Sequence, residues 1–246
     1  MRVGVVTLCA SIAAGAVRGD ETAAKAILEK GIKALGGEEK LTKAQTFSTK
    51  SKGTVTFNNE DHDFTAQSTG AGLDLYRSEF EMQFDGNDMK ALTVLSGEKG
   101  WRRFGELNEL SPDEFANEKR NFHLVVIPAT LVPLKGKGYK LDTAGEVKIG
   151  DKDAVAIKVT EPDGKDFKLF FEKESGLPVR LEARVVGFDN AEFDQQTTYS
   201  NYKDFGGLKK ATKLESKRNG EKFISQEITD YKTLEKASPD AFAEPK

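Results

Sequence analysis

From residue 46 onward the chain alternates: polar and apolar side chains exchange every second position, and turn-forming residues interrupt the pattern at short intervals. Phe47, Gly53, Val55 and Phe57 share one parity, while Lys50, Lys52, Thr54 and Thr56 share the other. Period two sends successive side chains to opposite faces of a strand, so each segment has a dry face and a wet one. The pattern returns in Val155, Ile157 and Val159, in Phe167, Leu169 and Phe171, and in Val179, Leu181, Ala183 and Val185. Opposite them stand Lys158, Lys168, Glu172, Arg180, Glu182 and Arg184. Strands are predicted over 47–57, 62–69, 73–84, 89–95, 101–104, 139–149, 153–160, 166–172, 178–186, 191–202, 209–217 and 222–231. Connections such as Pro162-Asp163-Gly164, Ser175-Gly176, Gly206-Gly207 and Asn219-Gly220 are too short for crossovers, so sequential strands run antiparallel. Within 73–84, Leu73 and Leu75 take one parity and Phe80, Met82 and Phe84 the other, which predicts a bulge near Arg77-Ser78.

Helical spacing appears twice. Ala24, Ile27, Leu28, Ile32 and Leu35 recur at steps of three and four, and Gly36-Gly37 stops that helix, with a short helical turn expected over 38–45. Ser111-Pro112-Asp113-Glu114 has the form of a capping box with proline in the first turn. The helix it opens carries Phe115, Phe122 and His123 into an apolar stretch, 124–134. Pro128 and Pro133 deny that stretch one regular helix. Ser238 to Phe242 starts a small final turn.

The N-terminus has its own grammar. Met1-Arg2 precedes an apolar run from Val3 to Val17, and small residues gather before Asp20-Glu21. A basic start, a short apolar core and a small-residue exit predict an export signal over residues 1–19, cleaved between Ala16 and Asp20. The run is too short for a fixed membrane span, and no later run is longer, so the mature chain, 20–246, is expected to be one domain without a transmembrane anchor, working in the periplasm. Cys9 is the sole cysteine and leaves with the leader, so the domain is held by its core alone. A net charge of −3 with both signs interspersed gives no electrostatic reason to bind nucleic acid.

Nothing points to catalysis. His62 and His123 are far apart in sequence, and no nucleophile elbow, zinc-binding helix or phosphate loop is present. The Asn58–Asp63 stretch reads as a solvated hairpin turn rather than a metal loop, so no cofactor and no metal are expected. The chemistry lies in an apolar excess. A curved sheet whose concave face is covered by helix 21–35 and segment 111–134 would be lined by Phe80, Met82, Phe84, Trp101, Phe122, Val125, Val126, Ile127 and Leu131. Aromatic and methionine side chains suit an adaptable apolar ligand. The same residue types also build a solid core.

Five phrases carry a resemblance. They are Ala34-Leu35-Gly36-Gly37-Glu38-Glu39-Lys40-Leu41, Leu75-Tyr76-Arg77-Ser78-Glu79-Phe80, Leu95-Ser96-Gly97-Glu98-Lys99-Gly100-Trp101, the run from Phe171 to Arg180, and the run from Tyr199 to Leu208. In this order, over nearly all of 20–246, they resemble the LolA/LolB-like superfamily of exported lipoprotein carriers and their uncharacterised relatives. The resemblance implies an unclosed, strongly curved antiparallel β-sheet, a half-barrel, with helices plugging its mouth and acyl chains held inside. It implies a lipid, or the acyl chain of a lipoprotein, as ligand, and leaves room for an envelope protein partner. Arg77 matches in strand order an arginine that holds the carriers' lid, although Ser78 follows it where an aromatic residue is usual; a surface arginine paired with Glu79 or Glu81 is the other reading. Two functions stay open: a carrier of an apolar ligand, or a filled-core envelope interaction domain.

Overall fold

The structure, a computed structural model, describes residues 20–246 except Asp85 and Asp189; the leader expected over residues 1–19 lies outside the described residues. Asp20 begins the fold. Its carboxylate accepts from the N–H groups of Thr22 (2.9 Å) and Ala23 (3.1 Å), satisfying two donors that the first turn of a helix leaves unpaired. The helix, α1 (Glu21–Leu35), buries Ala24, Leu28, Ile32 and Leu35 on one stripe. Each buried leucine or isoleucine contributes about 1.5–3 kcal/mol. Gly36, at φ 129, ends it, and a Cβ there would strike the carbonyl of Gly207. A single short turn, α2 (Glu38–Lys43), follows.

Six strands then form a meander: β1 (Thr46–Phe57), β2 (Glu60–Ala71), β3 (Leu75–Phe84), β4 (Asn87–Ser96), β5 (Lys99–Phe104) and β6 (Glu106–Glu109). The long helix α3 (Pro112–Thr130) leads into a second meander: β7 (Lys140–Ile149), β8 (Lys152–Thr160), β9 (Asp166–Glu172), β10 (Pro178–Val186), β11 (Glu192–Asp204), β12 (Lys209–Arg218) and β13 (Glu221–Thr233). The two meet where β1 pairs with β13, giving one antiparallel 13-stranded sheet in the order β6-β5-β4-β3-β2-β1-β13-β12-β11-β10-β9-β8-β7. Strands β6 and β7 are its free edges, so the sheet is a curved half-barrel, as expected.

The main core lies between the concave face of β7–β12 and the helices. Leu28, Ile32, Ile127, Leu131, Ile157, Leu169, Phe171 and Leu181 are fully buried there. The opposite, convex parity is largely polar, with apolar clusters at Leu92, Val94 and Trp101 and at Ala154, Ala156, Phe170 and Val179, and the C-terminal 3-10 turn (Pro239–Phe242) packs on β3 and β4.

Two local expectations are corrected, and the break expected within 124–134 is located. Strand β3 pairs with both neighbours without a register shift, so no bulge occurs at Arg77-Ser78. The even face of β3 begins at Tyr76, while Leu73 belongs to the preceding turn and Leu75 faces the other way. Strand β6 was not expected; its charged sequence carries little alternation, and it exists because β5 offers an edge. Helix α3 runs through Pro128 to Thr130, and the break falls at Leu131, at φ 62, before a 3-10 turn (Val132–Lys135). A proline three residues from the end removes only one late hydrogen bond, with tertiary packing holding the turn. The capping box is as read: Ser111 and Glu114 bond reciprocally.

Candidate functional site

Helix α3 divides the concave face into filled and open parts. Leu124, Ile127 and Leu131 point toward α1 and β8–β10 and are core. Phe122 and Val126 turn toward β3–β5, where Phe122 stacks on Tyr76 with ring centroids 4.3 Å apart beside Leu95 and Leu110. A third stripe holds Glu118, Val125 and Ala129. Glu118 meets Arg102 of β5 at 2.7 Å, and the carbonyl of Ala129 accepts from Lys210 Nζ of β12 at 2.7 Å. Val125 shares the helix face of Glu118 and Ala129. It is 58% exposed. Beside α3 the concave face of the central strands carries exposed apolar side chains, Phe57 at 56% among them, and forms a shallow open trough.

Aromatic side chains floor it. The register places Phe84, Met82 and Phe80 of β3 on the same face as His62, Phe64 and Ala66 of β2. Phe64 stacks on Phe80 at 4.8 Å, Phe84 lies 4.9 Å from His62, and Phe57 meets Phe84 edge-on at 6.5 Å. Phe104 continues the strip through Ala91 and is 61% exposed. From the β10–β11 turn Phe188 reaches across to lie 4.9 Å from the Arg102 guanidinium, forming the far wall.

The helix above is held by polar contacts. Buried Arg120 pairs with buried Glu161 of the β8–β9 turn and donates to the carbonyl of Asp166 at 2.8 Å. His123 shares Glu161 at 3.5 Å and bonds the carbonyl of Leu73 at 3.0 Å. Burial pushes the Tyr139 phenol up to about 12, with Glu161 adding to the effect. Burial also raises the Glu118 carboxyl, against the opposing pull of Arg102. Lys210 is almost fully buried; burial pulls its ammonium down to about 8. Its stabilising contacts are the helix C-terminus, the negative end of the α3 dipole, and the ring of Tyr231 at 5.2 Å.

Of the residues singled out from sequence, Phe80, Met82 and Phe84 share the concave face of β3, and Val125 is exposed on α3. Phe122 and Val126 close the trough's inner end, and Ile127 and Leu131 belong to the solid core. Arg77 and Trp101 stand on the convex face, both in register with Val94. Arg77 bonds Glu79 at 2.6 Å there, the surface pairing foreseen as its alternative. Phe57 and Phe64 carried the right parity in sequence; Phe104, Phe188, Arg102, Glu118 and Lys210 reach the site by long-range packing, which leaves no local pattern. A separate polar groove of about 740 Å³ is lined by Lys158, Lys168, Glu182, Gln196 and Lys217, and Lys158 there pairs with Asp166 at 2.6 Å. Such a charged surface does not suit hydrocarbon. Among the described residues no group of three or more His, Cys, Asp or Glu side chains converges to hold a metal.

No family model and no curated protein matches the chain by sequence. Solved structures do match by shape. A LolA-superfamily protein from Nitrosomonas europaea superposes with a TM-score of 0.58 at 13% identity, covering 89% of this chain and 97% of that one. The fold is that of the LolA-like proteins. A DUF1329-family protein from Desulfovibrio piger gives 0.55 at 13% identity, again over 89% and 97% of the two chains. An outer-membrane lipoprotein-sorting protein domain from Vibrio parahaemolyticus gives 0.51 at 11%, over 87% and 97%. At these identities the likeness is one of fold. The LolA-like sheet here has its helical plug seated over one half of the concave face, with the other half open. No helix among the described residues is long and apolar enough to cross a membrane.

Proposed function

We propose that this protein is an exported, periplasmic binding or carrier protein for a lipid, an acylated protein or another apolar ligand, and that it catalyses no reaction. The observation that carries this reading is the exposed aromatic strip on the concave face, where Phe64 stacks on Phe80 at 4.8 Å and Phe57 and Phe104 are each more than half exposed. The LolA-like fold and the signal-like residues 1–19 support it. Hydrocarbon laid in the trough would gain about 0.8 kcal/mol per buried CH₂. An envelope protein is the proposed partner that delivers or receives the ligand. The rival, a filled interaction domain, draws on the solid core under α1 and the second half of α3.

Uptake of an uncharged environment-sensitive dye tests the choice. The parent is expected to bind it, and Val125→Asp and Met82→Asp are each expected to weaken uptake by about tenfold or more, because a carboxylate would be desolvated by the bound hydrocarbon. Both positions already have access to water, so circular dichroism should show an intact sheet. A parent that takes up neither dye nor lipid, with no lipid co-purifying in native mass spectrometry, would favour the filled domain.

A further inference from the structure

The floor of the trough is not apolar throughout. One cross-strand row interrupts the hydrocarbon: Arg102 of β5 is in register with Thr93 of β4, Thr93 with Ser78 of β3, Ser78 with Ser68 of β2, and Ser68 with Thr49 of β1. Thr49 pairs in turn with Tyr231 of β13, whose ring carries the Lys210 ammonium. Four hydroxyl side chains on four adjacent strands thus form a belt with a cation at either end. All four residues are half-buried, and they share the face of Tyr76 and Phe80. The belt lies between the Tyr76 row, on which Phe122 packs, and the aromatic strip, and the cations at its ends are bonded to α3.

The main-chain groups of these strands are satisfied by the ladder, so the sheet does not require the hydroxyls. Ser68 Oγ lies 3.0 Å from Ser78 Oγ and 3.4 Å from the Tyr76 hydroxyl. Two contacts among three hydroxyls use two hydrogens, leaving at least one O–H to donate elsewhere. Arg102 Nε is buried without an acceptor. Its other nitrogens face Glu118 at 2.7 Å and Glu114 at 3.6 Å. A row of O–H donors flanked by cations is complementary to an oxyanion, while the adjoining phenylalanines are complementary to hydrocarbon.

We propose that this belt holds the acidic headgroup, a carboxylate or phosphate monoester, of an amphiphile whose chain lies along the Phe64–Phe80–Phe84 strip. The inference rests on the carrier reading and narrows it from apolar ligands in general to anionic amphiphiles. It also accounts for a row of serine and threonine set between the aromatic strip and the Leu95–Phe122–Val126 cluster.

Displacement of the bound dye by dodecanoic acid, dodecyl phosphate and dodecanol, each below its micelle concentration, tests it. The two acids are expected to displace the dye at concentrations roughly tenfold lower than the alcohol, since hydrogen bonds to a charged group are the stronger kind. In a Ser68→Ala/Ser78→Ala variant that preference should fall to about one, and Arg102→Gln should reduce it in the same direction. Inorganic phosphate alone should bind far more weakly than dodecyl phosphate; equal binding would make the belt a free-anion site and overturn the proposal. Equal displacement by acid and alcohol in the parent would also overturn it, leaving the carrier reading intact. Dye uptake absent from the parent would sink the carrier reading and this inference with it. Small-to-smaller changes on a half-exposed strand face preserve folding, and circular dichroism verifies that.

Discussion

Lys210 is charged where water scarcely reaches. Burial lowers its folded-state pKa to about 8 from the ordinary 10.5. Between those values the unfolded chain binds the extra proton and the folded chain does not, so stability rises with pH across that window. The rise should approach about 3 kcal/mol from this one residue. Chemical denaturation from pH 7.5 to 10.5 is expected to show that slope in the parent and its loss in Lys210→Met. The same slope in both proteins would mean that Lys210 titrates normally. Nothing around Lys210 in sequence marks it: Lys209, Lys210 and Lys213 look alike, and only the seat of α3 makes one of them interior. Arg77 and Trp101 teach the same lesson from the other side. Their residue types suited a ligand site, and parity in register with Val94 placed both on the convex face.

At the scale of elements, the weakest-looking residue holds the join between the two meanders. Gly53 sits where β1 crosses β13, three residues after the register shift at Lys50/Ser51. A Cβ there would collide with the carbonyl oxygen of Ser225 and stand 2.9 Å from Gln226 Cα. Because the obstacle is backbone, the strand itself would have to move. Gly53→Ala is therefore expected to cost about 1–3 kcal/mol, more than an alanine on an exposed strand should. Urea denaturation measures it; a variant as stable as the parent would show that the join can open without loss. The glycine was readable as part of a strand, but not as a close approach, since its partner lies far along the chain. Helix ends were easier. Gly36 and the Ser111/Glu114 box act within a few residues of themselves, so local sequence located them, and the Asp20 cap, equally local, was missed. The stretch 124–134 is not one regular helix, as its prolines implied, but the break falls at Leu131 because buried neighbours, invisible locally, hold the turn around Pro128.

Across the whole molecule, the proposed function requires export. N-terminal sequencing of the protein from its native envelope is expected to begin at a residue from Val17 to Asp20, and a chain still starting at Met1 there would contradict the periplasmic reading. The alternation of residue types, the short turns and the two apolar helical stripes were enough to determine an antiparallel meander with helices on its dry face. These are nearest-neighbour properties, set by period, sterics and capping. Which half of the concave face is filled was not determined by them. Leu124, Ile127 and Val125 are equally apolar in sequence, yet two are core and one is exposed. That choice belongs to tertiary structure: the angle at which α3 crosses the sheet is set by Arg120 on Glu161, His123 on Leu73 and Lys210 on Ala129. Each of those contacts joins residues far apart in sequence, and burial is a property of the space they leave between them.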